Sequence, residues 1–208
     1  MTKTKTGRRP TLQPQRPGAV RIIAGKWRRR RLKVADTEGL RPTPDRVRET
    51  LFAWLTNRLV DSRCLDLFAG TGALGFEAAS RGAREVVMIE KDPTLVAALN
   101  EHRASLDAGE VRVIQADAVH WLESGSDQFD VIFVDPPFQR YALDTLCDRI
   151  DRSGRLDRHG VVYLETGASS GAPLLPEGWS LLRSNRAGQV RYYLATKNRA
   201  HPEADHLQ

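Results

Sequence analysis

The stretch Val131-Ile132-Phe133-Val134-Asp135-Pro136-Pro137-Phe138 joins four apolar residues to a motif that cannot continue a sheet. An uninterrupted apolar run is typical of a strand buried on both faces of a parallel sheet, and consecutive prolines end it because they cannot donate to the ladder. The motif therefore places a carboxylate, stiff backbone carbonyls and an aromatic ring at the carboxyl end of a strand. Ligands of open α/β sheets bind at this end.

Strand and helix patterns alternate around this motif. Apolar runs predict strands at residues 64–68, 86–90, 111–115, 129–135 and 161–165. A helical pattern follows each of the first four, and the second of these helices is expected to have Asp92 as its cap and Pro93 at its first position. Residues 179–184 and 190–196 predict a closing antiparallel hairpin. Upstream, Thr43 is expected to cap a helix that has Pro44 at its first position. This alternation predicts an α/β fold with a mostly parallel sheet and helices on both faces.

The positive charge of the chain is concentrated at its amino end. Residues 1–35 contain 12 Lys or Arg and no acidic residue, whereas residues 36–208 contain 20 Lys or Arg and 26 Asp or Glu, so the net charge of +6 is the sum of +12 and −6. Residues 20–34 predict a small basic β-hairpin, and the arginines at 28–31 would point to both faces of its second strand. A basic segment on an acidic body is typical of a protein that binds a polyanion.

The expected organisation is one main domain with extensions. Residues 1–17 are rich in Pro, Gly and polar residues and are predicted as a disordered basic tail. Residues 18–42 are predicted as a basic β-hairpin extension, residues 43–197 as the main domain, and residues 198–208 as a frayed carboxyl-terminal tail.

Composition favours a protein of the cytoplasm. No apolar stretch approaches the roughly 20 residues of a membrane span, and no secretory signal is visible. Cys64 and Cys147 each lie within or beside an apolar run, so we expect two buried thiols rather than a disulfide. No cluster of Cys and His has the spacing of a zinc site, so we expect no metal.

A glycine-rich turn follows the first predicted strand of the main domain, at Asp66-Leu67-Phe68-Ala69-Gly70-Thr71-Gly72-Ala73-Leu74-Gly75. Glycines let the backbone turn sharply and approach a ligand closely at a helix N-terminus. The spacing of Gly70, Gly72 and Gly75, with Glu90 at the end of the next strand, also satisfies the dinucleotide fingerprint. An NAD-dependent oxidoreductase is therefore an open alternative.

Three acidic residues lie at the ends of consecutive predicted strands. Asp66 can bind the ammonium of an amino-acid moiety, Glu90 the two hydroxyls of a ribose, and Asp117 the amino group of an adenine. These acids suit a cationic, phosphate-free cofactor with adenosine and methionine parts, S-adenosylmethionine, whereas a carboxylate at the first strand end repels a pyrophosphate. The alternative for each acid is helix capping, above all for Asp117 before a short helix.

The Asp135 motif suits methyl transfer to an exocyclic amine. The carboxylate of Asp135 and the carbonyl of Pro136 can accept its two N–H bonds and aim its lone pair at the methyl group, while Phe138 stacks on the base. Such catalysis depends on positioning and on stabilising developing positive charge. A paired base must first be flipped out or presented unpaired. The alternative is a tight turn after a buried strand, with Phe138 in the core.

Three further segments carry a resemblance to a known family. They are RIIAGKWR at residues 21–28, RPTPDRVRETLF at residues 41–52 and DLFAGTGALGFE at residues 66–77. With these and Asp-Pro-Pro-Phe, the chain resembles, over residues 20–197, the bacterial 16S rRNA guanine-N2 methyltransferases of the RsmD type, which are class I S-adenosylmethionine-dependent methyltransferases.

The resemblance implies a Rossmann-like, seven-stranded sheet with a reversed last hairpin. It also implies methylation of a guanine N2 of 16S rRNA in assembled or assembling 30S particles, and a contact of Thr43 with the methionine part of the cofactor. We further expect a monomer. The Asp135 motif does not itself choose the base, so a DNA or RNA adenine-N6 methyltransferase stays open, as does a ribosome assembly factor without activity.

The expected site residues fall into three groups. The predicted catalytic residues are Asp135, Pro136 and Phe138. The predicted cofactor-binding residues are Thr43, Asp66, Phe68, Ala69, Gly70, Thr71, Gly72, Glu90, Lys91, Asp117, Ala118 and Asp135. The predicted RNA-binding residues are Arg21, Lys26, Arg28, Arg29, Arg30 and Arg31.

Overall fold

The computed structural model describes residues 18–34, 43–137 and 140–197, which contain a seven-stranded sheet, a two-stranded hairpin and five α-helices. The strands are β1 Ala19–Arg21, β2 Arg31–Lys33, β3 Arg63–Asp66, β4 Glu85–Glu90, β5 Val111–Gln115, β6 Phe129–Val134, β7 Leu156–Gly167, β8 Trp179–Ala187 and β9 Val190–Lys197. The helices are α1 Asp45–Trp54, α2 Ala73–Ser80, α3 Pro93–Ser105, α4 Ala118–Glu123 and α5 Leu143–Ser153.

The large sheet has the strand order β5-β4-β3-β6-β7-β9-β8. Strands β3 to β7 are all parallel to one another, and β9 runs antiparallel to both β7 and β8, between which it lies. After β3, the chain adds β4 and β5 on one side of the sheet. It then returns to form β6 on the other side of β3, so the strand order reverses between β3 and β6. Such a switch point opens a crevice at the carboxyl ends of the strands. The predicted fold, including its antiparallel last hairpin, is confirmed.

The position of β6 in the sheet explains why the run from Val131 to Val134 contains no polar residue. Val131 and Phe133 lie in the hydrophobic core beneath α1 and α2, whereas Ile132 and Val134 lie in the core beneath α4 and α5. All four side chains are fully buried. Because alternate residues of a strand point to opposite faces, a strand covered on both sides must be apolar at every position.

The amino-terminal hairpin is present, but its strands are shorter than predicted. Only Arg31 of the four arginines lies in a strand, because residues 22–30 form a looped connection with Gly25 and Arg29 at positive φ. A Cβ atom on Gly25 would lie 1.7 Å from the carbonyl oxygen of Ser80, so the chain turns where it contacts α2. The prediction that four arginines alternate along one strand is therefore wrong.

The hairpin is attached to α2 by buried contacts. Its side chains Val20, Ile22, Trp27 and Leu32 lie in the same core as α1 and α2. The fully buried carboxylate of Glu77 accepts hydrogen bonds from the backbone N–H groups of Ile23 at 2.7 Å and Ala24 at 3.0 Å. The hairpin and α2 therefore form one packed unit.

Two helix starts differ in how well the sequence predicts them. Asp92 caps α3 as predicted, since its carboxylate accepts from the N–H groups of Thr94 and Leu95 with Pro93 at the first position. Helix α1, however, begins at Asp45, with Pro44 in the capping position and no side-chain cap. The prediction that Thr43 caps this helix is wrong, because its hydroxyl bonds instead to Asp135.

Several expectations concern other parts of the molecule. Cys64 and Cys147 are buried free thiols, as predicted. The predicted tails at residues 1–17 and 198–208, residues 35–42 of the hairpin extension and Phe138 lie outside the described residues. No helix within the described ranges is long and apolar enough to cross a bilayer. The same ranges contain no group of three or more His, Cys, Asp or Glu that could hold a metal ion.

Candidate active site

A cavity of about 830 Å³ opens at the carboxyl ends of the central strands, where the strand order reverses. It brings together most of the predicted cofactor and catalytic residues: Thr43, Asp66, Phe68, Ala69, Gly70, Thr71, Glu90, Lys91, Asp117, Ala118, Asp135 and Pro136. Gly72 does not line the cavity but forms the buried residue before α2, at φ +75°. The parallel strands thus converge on one site from distant parts of the sequence.

The glycine turn places the first residues of α2 at the cavity. The N–H of Gly72 donates to the carbonyl of Ala69 at 2.7 Å, which closes the turn. A Cβ atom on Gly72 would lie 2.7 Å from both Phe76 and Leu99. One on Gly75 would lie 2.4 Å from the Met88 side chain of β4, so Gly72 permits close packing of the turn against α3 and Gly75 close packing of α2 on the sheet.

Asp66 is a buried acid at the end of β3, with 2% of its side chain exposed. Its Oδ2 accepts a hydrogen bond from the N–H of Gly75 at 3.0 Å. Burial, together with the nearby carboxylates of Asp135 and Glu90, raises the pKa of Asp66 to about 7 despite that hydrogen bond. A cation bound beside Asp66 would favour its ionised form.

Glu90 holds the glycine turn against the end of β4. One carboxylate oxygen accepts from the N–H of Gly70 at 2.9 Å, and the other accepts from the N–H groups of Lys91 and Asp92 at 2.8 and 2.9 Å. Three backbone donors therefore fix the orientation of this carboxylate at the cavity wall. Each carboxylate oxygen has two acceptor sites, so the oxygen that accepts from Gly70 can still accept from a ligand hydroxyl, whereas the other already accepts two hydrogen bonds.

Asp117 serves as a helix cap and also lines the cavity. Its Oδ1 accepts from the N–H groups of Val119 and His120 at 3.0 and 3.3 Å, whereas Oδ2 makes no hydrogen bond to the described residues. Although burial acts to raise it, these backbone donors lower the pKa of Asp117 below its usual value. The capping alternative is thus realised without excluding a ligand contact through Oδ2.

Asp135 directly follows β6, and its carboxylate is held by a hydrogen bond from Thr43, which lies two positions before α1. The Oγ1 hydroxyl of Thr43 donates to Oδ2 of Asp135 at 3.1 Å. Burial raises the pKa of Asp135 to about 6, and the hydrogen bond from Thr43 opposes that rise. Pro136 and Pro137 line the cavity directly after it. The motif therefore presents one oriented carboxylate and the rigid backbone that follows it.

Glu165 is an acid of the cavity that the sequence interpretation missed. Val134 pairs with Leu164 in the parallel ladder, so Asp135 and Glu165 occupy the next positions on neighbouring strands. Glu165 is 3% exposed and accepts a hydrogen bond from the hydroxyl of Tyr163 at 2.6 Å. Burial and the adjacent charge of Asp135 raise the pKa of Glu165 to about 8. The rule that identified Asp66 and Asp135, an acid at the end of a buried strand, also applies to Glu165.

Two further parts of the cavity wall were not predicted. Tyr141 packs against Phe68 with ring centroids 5.2 Å apart, which adds an aromatic surface beside the glycine turn. The turn between β8 and β9, residues 187–190, lines the opposite part of the cavity. The N–H of Ala168 donates to the carbonyl of Gln189 at 2.7 Å and anchors this turn to the end of β7.

The predicted RNA-binding residues are not gathered at the cavity. Arg21 lies beside the start of α1, where it pairs with Asp45 at 3.2 Å. The loop with the other arginines contacts the carboxyl end of α2, while the amino end of α2 lies at the cavity. Helix α2 has 8 residues, which corresponds to roughly 12 Å. In that loop Lys26 pairs with Glu110, and Arg30 donates to the carbonyl of Ser105.

The charge of the cavity restricts its ligands. Its acids are Asp66, Glu90, Asp92, Asp117, Asp135 and Glu165. Lys91 is the only cationic residue among the described residues that line it. A diphosphate at the glycine turn would face the buried carboxylate of Asp66 and little compensating positive charge. The cavity therefore suits a cationic ligand with hydroxyl and amino groups.

Comparison with known proteins agrees with this arrangement. A family model described as "Conserved hypothetical protein 95" matches residues 20–196. The ribosomal RNA small subunit methyltransferase D of Escherichia coli (strain K12) is 45% identical over 85% of this chain and 89% of its own length. The protein of the same name from Haemophilus influenzae is 42% identical over 87% of this chain and 95% of its own.

Solved structures show the same similarity. The structure of yhhF from Escherichia coli superposes with a TM-score of 0.82 at 42% identity and covers 87% of this chain and 99% of that one. That of HI0767 from Haemophilus influenzae superposes with a TM-score of 0.72 at 37% identity over the same shares. Because the matches extend over most of the chain, from the amino-terminal hairpin to β9, the protein belongs to the RsmD family of methyltransferases.

Proposed function

We propose that this protein transfers a methyl group from S-adenosylmethionine to the exocyclic N2 amine of a guanine in 16S rRNA, within 30S ribosomal particles. The observation that carries the proposal is the position of Asp135 and Pro136 in an acidic cavity beside the glycine turn. Support for a small-subunit rRNA substrate comes from the names of the Escherichia coli and Haemophilus influenzae relatives. The guanine N2 target rests on the resemblance of the sequence motifs.

The residues of the cavity fit the cofactor in chemical type. Glu90 is oriented to accept from ribose hydroxyls, and Oδ2 of Asp117 can accept from the adenine amine. Asp66 can bind the ammonium of the methionine part, directly or through water, since its pKa of about 7 allows ionisation beside a cation. Phe68 and Tyr141 offer an apolar wall. The bound cofactor supplies an activated methyl group on a positively charged sulfur.

The protein contributes position and charge to the transfer. The Asp135 carboxylate and the Pro136 carbonyl each accept a hydrogen bond from one of the two N–H groups of the amine, so the nitrogen lone pair points at the methyl group. As the bond forms, the nitrogen becomes positive, and the carboxylate stabilises that charge. Thr43 orients Asp135 through its hydrogen bond of 3.1 Å. Phe138, outside the described residues, keeps its predicted stacking role in this proposal.

At neutral pH the neighbouring carboxyl groups of Asp135 and Glu165 together carry one negative charge in this proposal. The higher pKa, about 8, belongs to Glu165, and the lower, about 6, to Asp135. Neighbouring carboxylates rarely ionise together, so Glu165 keeps its proton while Asp135 is ionised. Asp135 is then available to accept both the hydrogen bond of the amine and, after transfer, its proton.

The amino-terminal hairpin adds contacts to the rRNA backbone in this proposal. The side chains of Arg28, Arg29 and Arg31 are exposed and make no hydrogen bond or ion pair to the described residues. Binding through such side chains falls steeply as the salt concentration rises, because phosphate contacts release counterions. The loop with Arg28 and Arg29 contacts the carboxyl end of α2, so these two arginines would bind rRNA at a distance from the target base.

One experiment tests the substrate and the base together. Labelled methyl transfer is measured side by side on unmodified 30S subunits, naked 16S rRNA, tRNA and DNA, and the product nucleoside is identified after digestion. We expect transfer to 30S subunits and N2-methylguanosine as the product. N6-methyladenosine would favour the adenine-N6 alternative, and no transfer to any substrate would favour an assembly factor without activity.

Calorimetry separates the cofactor alternatives. We expect S-adenosylmethionine to bind and NADH not to bind, because the cavity is acidic. Tight binding of NADH instead would revive the oxidoreductase. Size-exclusion chromatography with light scattering at the concentration of the assay checks the expected monomer.

A further inference from the structure

The hairpin of β8 and β9 carries positive charge that has no partner in the protein. Residues 179–197 contain four cationic side chains, Arg183, Arg186, Arg191 and Lys197, and no Asp or Glu. Lys197, at the end far from the turn, pairs with Asp151 at 2.7 Å. The three arginines form no ion pair with a described residue. This local excess stands out on a body, residues 36–208, whose net charge is −6.

Two of these arginines face each other across the hairpin. The ladder pairs Arg186 directly with Arg191, next to the turn that connects the strands. Residues directly opposite in an antiparallel pair have Cβ atoms about 5 Å apart, and like charges there destabilise the sheet. Arg186 Nε donates only to the carbonyl of Gly188, at 3.3 Å, which leaves most of its donors free. An anion between the two guanidinium groups would remove the repulsion.

The position of this pair connects it to the proposed active site. The turn between the strands, residues 187–190, lines the cavity that holds Asp135 and Glu165. The turn is anchored to β7, and Arg186 and Arg191 flank it, directly before Ala187 and directly after Val190 of the cavity wall. The side chains from Leu181 to Arg186 are exposed, which leaves room for a large ligand along β8.

Protection against aggregation is the alternative explanation for charge on an edge strand. It accounts for Arg183 and Arg186, since β8 is the edge of the sheet. It does not account for Arg191, because β9 lies between β7 and β8 and has no free edge. A pair that spans an internal strand and an edge strand, beside a cavity, is better explained by a ligand.

We propose that Arg186 and Arg191, with Arg183 beside them, bind the phosphate backbone of the RNA next to the nucleotide whose base enters the cavity. The inference rests on the proposed function for the identity of the polyanion. It assigns the contact at the rim to the β8–β9 hairpin, whereas the loop of the amino-terminal hairpin contacts the carboxyl end of α2, roughly 12 Å along the 8 residues of that helix from its end at the cavity. Arginine suits this role because its planar group binds phosphate through two parallel hydrogen bonds.

The test compares two double variants of equal charge change in the full chain. The test variant is Arg186→Gln with Arg191→Gln. The control is Arg152→Gln with Arg158→Gln, two exposed arginines at the end of α5 and the start of β7, at the end of the parallel strands opposite the cavity. Binding to unmodified 30S subunits is measured over a salt series, together with kcat, KM and the Kd for S-adenosylmethionine.

We expect the test variant to bind 30S subunits about tenfold more weakly. We also expect its binding to depend less on salt: the slope of the logarithm of the binding constant against the logarithm of the salt concentration should be smaller in magnitude by about 1.5 to 2, for two lost phosphate contacts. Its KM should rise, while the cofactor Kd stays unchanged. The control should behave as the wild type. Arg186→Lys with Arg191→Lys should retain most of the salt dependence, because the charge remains. The thermal midpoint of the test variant should stay the same or rise, since a repulsion is removed.

Three results would overturn the inference. They are wild-type binding and salt slope in the test variant, an equal loss in the control variant, and self-association of the test variant with unchanged RNA binding. The last result would assign the arginines to protection of the edge strand. If the wild-type protein transfers no methyl group to 30S subunits, the proposed function fails, but the binding comparison still decides whether the hairpin contacts RNA.

Discussion

The Oγ1 hydroxyl of Thr43 lies 3.1 Å from Oδ2 of Asp135 and donates a hydrogen bond to it across 92 positions of the sequence. The contact joins Thr43, two positions before α1, to the residue directly after β6, and both residues line the cavity. It is the reason that Thr43 does not cap α1. The amino-terminal part of the main domain thereby influences the carboxylate that we propose as the acceptor for the substrate amine.

Replacing Thr43 by Val should raise the pKa of Asp135 above about 6, because the hydroxyl that stabilises the ionised form is lost. We expect the acidic limb of the pH–rate profile to move to higher pH and kcat at neutral pH to fall about tenfold, the value of one hydrogen bond to a charged group. Thr43→Ser, which keeps the hydroxyl, is the matched control. A profile of the Val variant that coincides with the wild type would contradict the role of Thr43.

Replacing Asp135 by Ala should reduce methyl transfer at least about a hundredfold, because the carboxylate that orients and stabilises the amine is removed. The Kd for S-adenosylmethionine, measured by calorimetry, should stay near the wild-type value. Asp148→Asn, which changes an exposed carboxylate on α5, controls for the loss of charge. Transfer by the Ala variant at the wild-type rate would show that Asp135 is not the acceptor.

Replacing Glu165 by Gln should leave the acidic limb of activity in place, because Glu165 is already protonated where Asp135 titrates, near pH 6. Gln keeps an acceptor for the Tyr163 hydroxyl. Above about pH 8 the variant should be more stable than the wild type, since no buried charge forms. The measurement is the difference in thermal midpoint across pH. Loss of the acidic limb would assign the lower pKa to Glu165 instead.

The buried acids predict how stability and cofactor binding depend on pH. Asp66 and Glu165 have raised pKa values of about 7 and about 8, so the folded protein binds more protons than the unfolded chain above about pH 4. The contribution of these two groups to the free energy of unfolding is therefore fully present below about pH 4, and it is lost as the pH rises through their folded-state pKa values of about 7 and about 8. Binding of a cationic cofactor should instead strengthen over the same range.

Thermal unfolding at about pH 5.5 and about pH 8.5, with and without S-adenosylmethionine, measures both effects. Asp66→Asn should flatten the pH dependence of stability in the absence of cofactor and weaken cofactor binding most at the higher pH. Stability of the wild type that rises through this range, with no difference between the wild type and Asp66→Asn, would contradict the assignment.

Replacing Gly25 by Ala should destabilise the protein by roughly 1–3 kcal/mol, because the residue has φ +81° and its Cβ would lie 1.7 Å from the carbonyl oxygen of Ser80. Gly171→Ala, at a position with nothing within 4 Å, is the control. Denaturant unfolding measures the difference. Equal stabilities of the two variants would mean that the hairpin does not depend on this close contact.

Local patterns were sufficient to predict the elements of the fold. The apolar run before Asp135 could only be a strand buried on both faces, and Asp92-Pro93 could only begin a helix. Each of these predictions rests on interactions within a few residues, for which sequence spacing is a direct guide. The acids at 66, 90 and 117 were predicted together for the same reason, since parallel strands present their carboxyl ends at one edge.

The remaining features depend on pairs that are distant in sequence. The prediction that Thr43 caps α1 failed because its hydroxyl has a second acceptor in Asp135, which sequence spacing does not reveal. The arginines at 28–31 were predicted on a strand because no local signal shows that Gly25 meets the backbone of Ser80. Glu165 ends a predicted strand, so the strand-end rule applies to it, but its position beside Asp135 follows from the strand order, which sequence spacing does not reveal.

The sequence by itself determined that this is a Rossmann-like protein with acidic residues at several strand ends and an Asp-Pro-Pro-Phe motif after a buried strand, because periodicity, turn chemistry and strand-end acids are local properties. The tertiary structure alone decided which groups share a charge and which surfaces surround the cavity. Asp135 and Glu165 become a coupled pair, and Arg186 and Arg191 an unpartnered one, only when separate strands align. Electrostatic interactions depend on distance in space, and the order of the strands sets that distance.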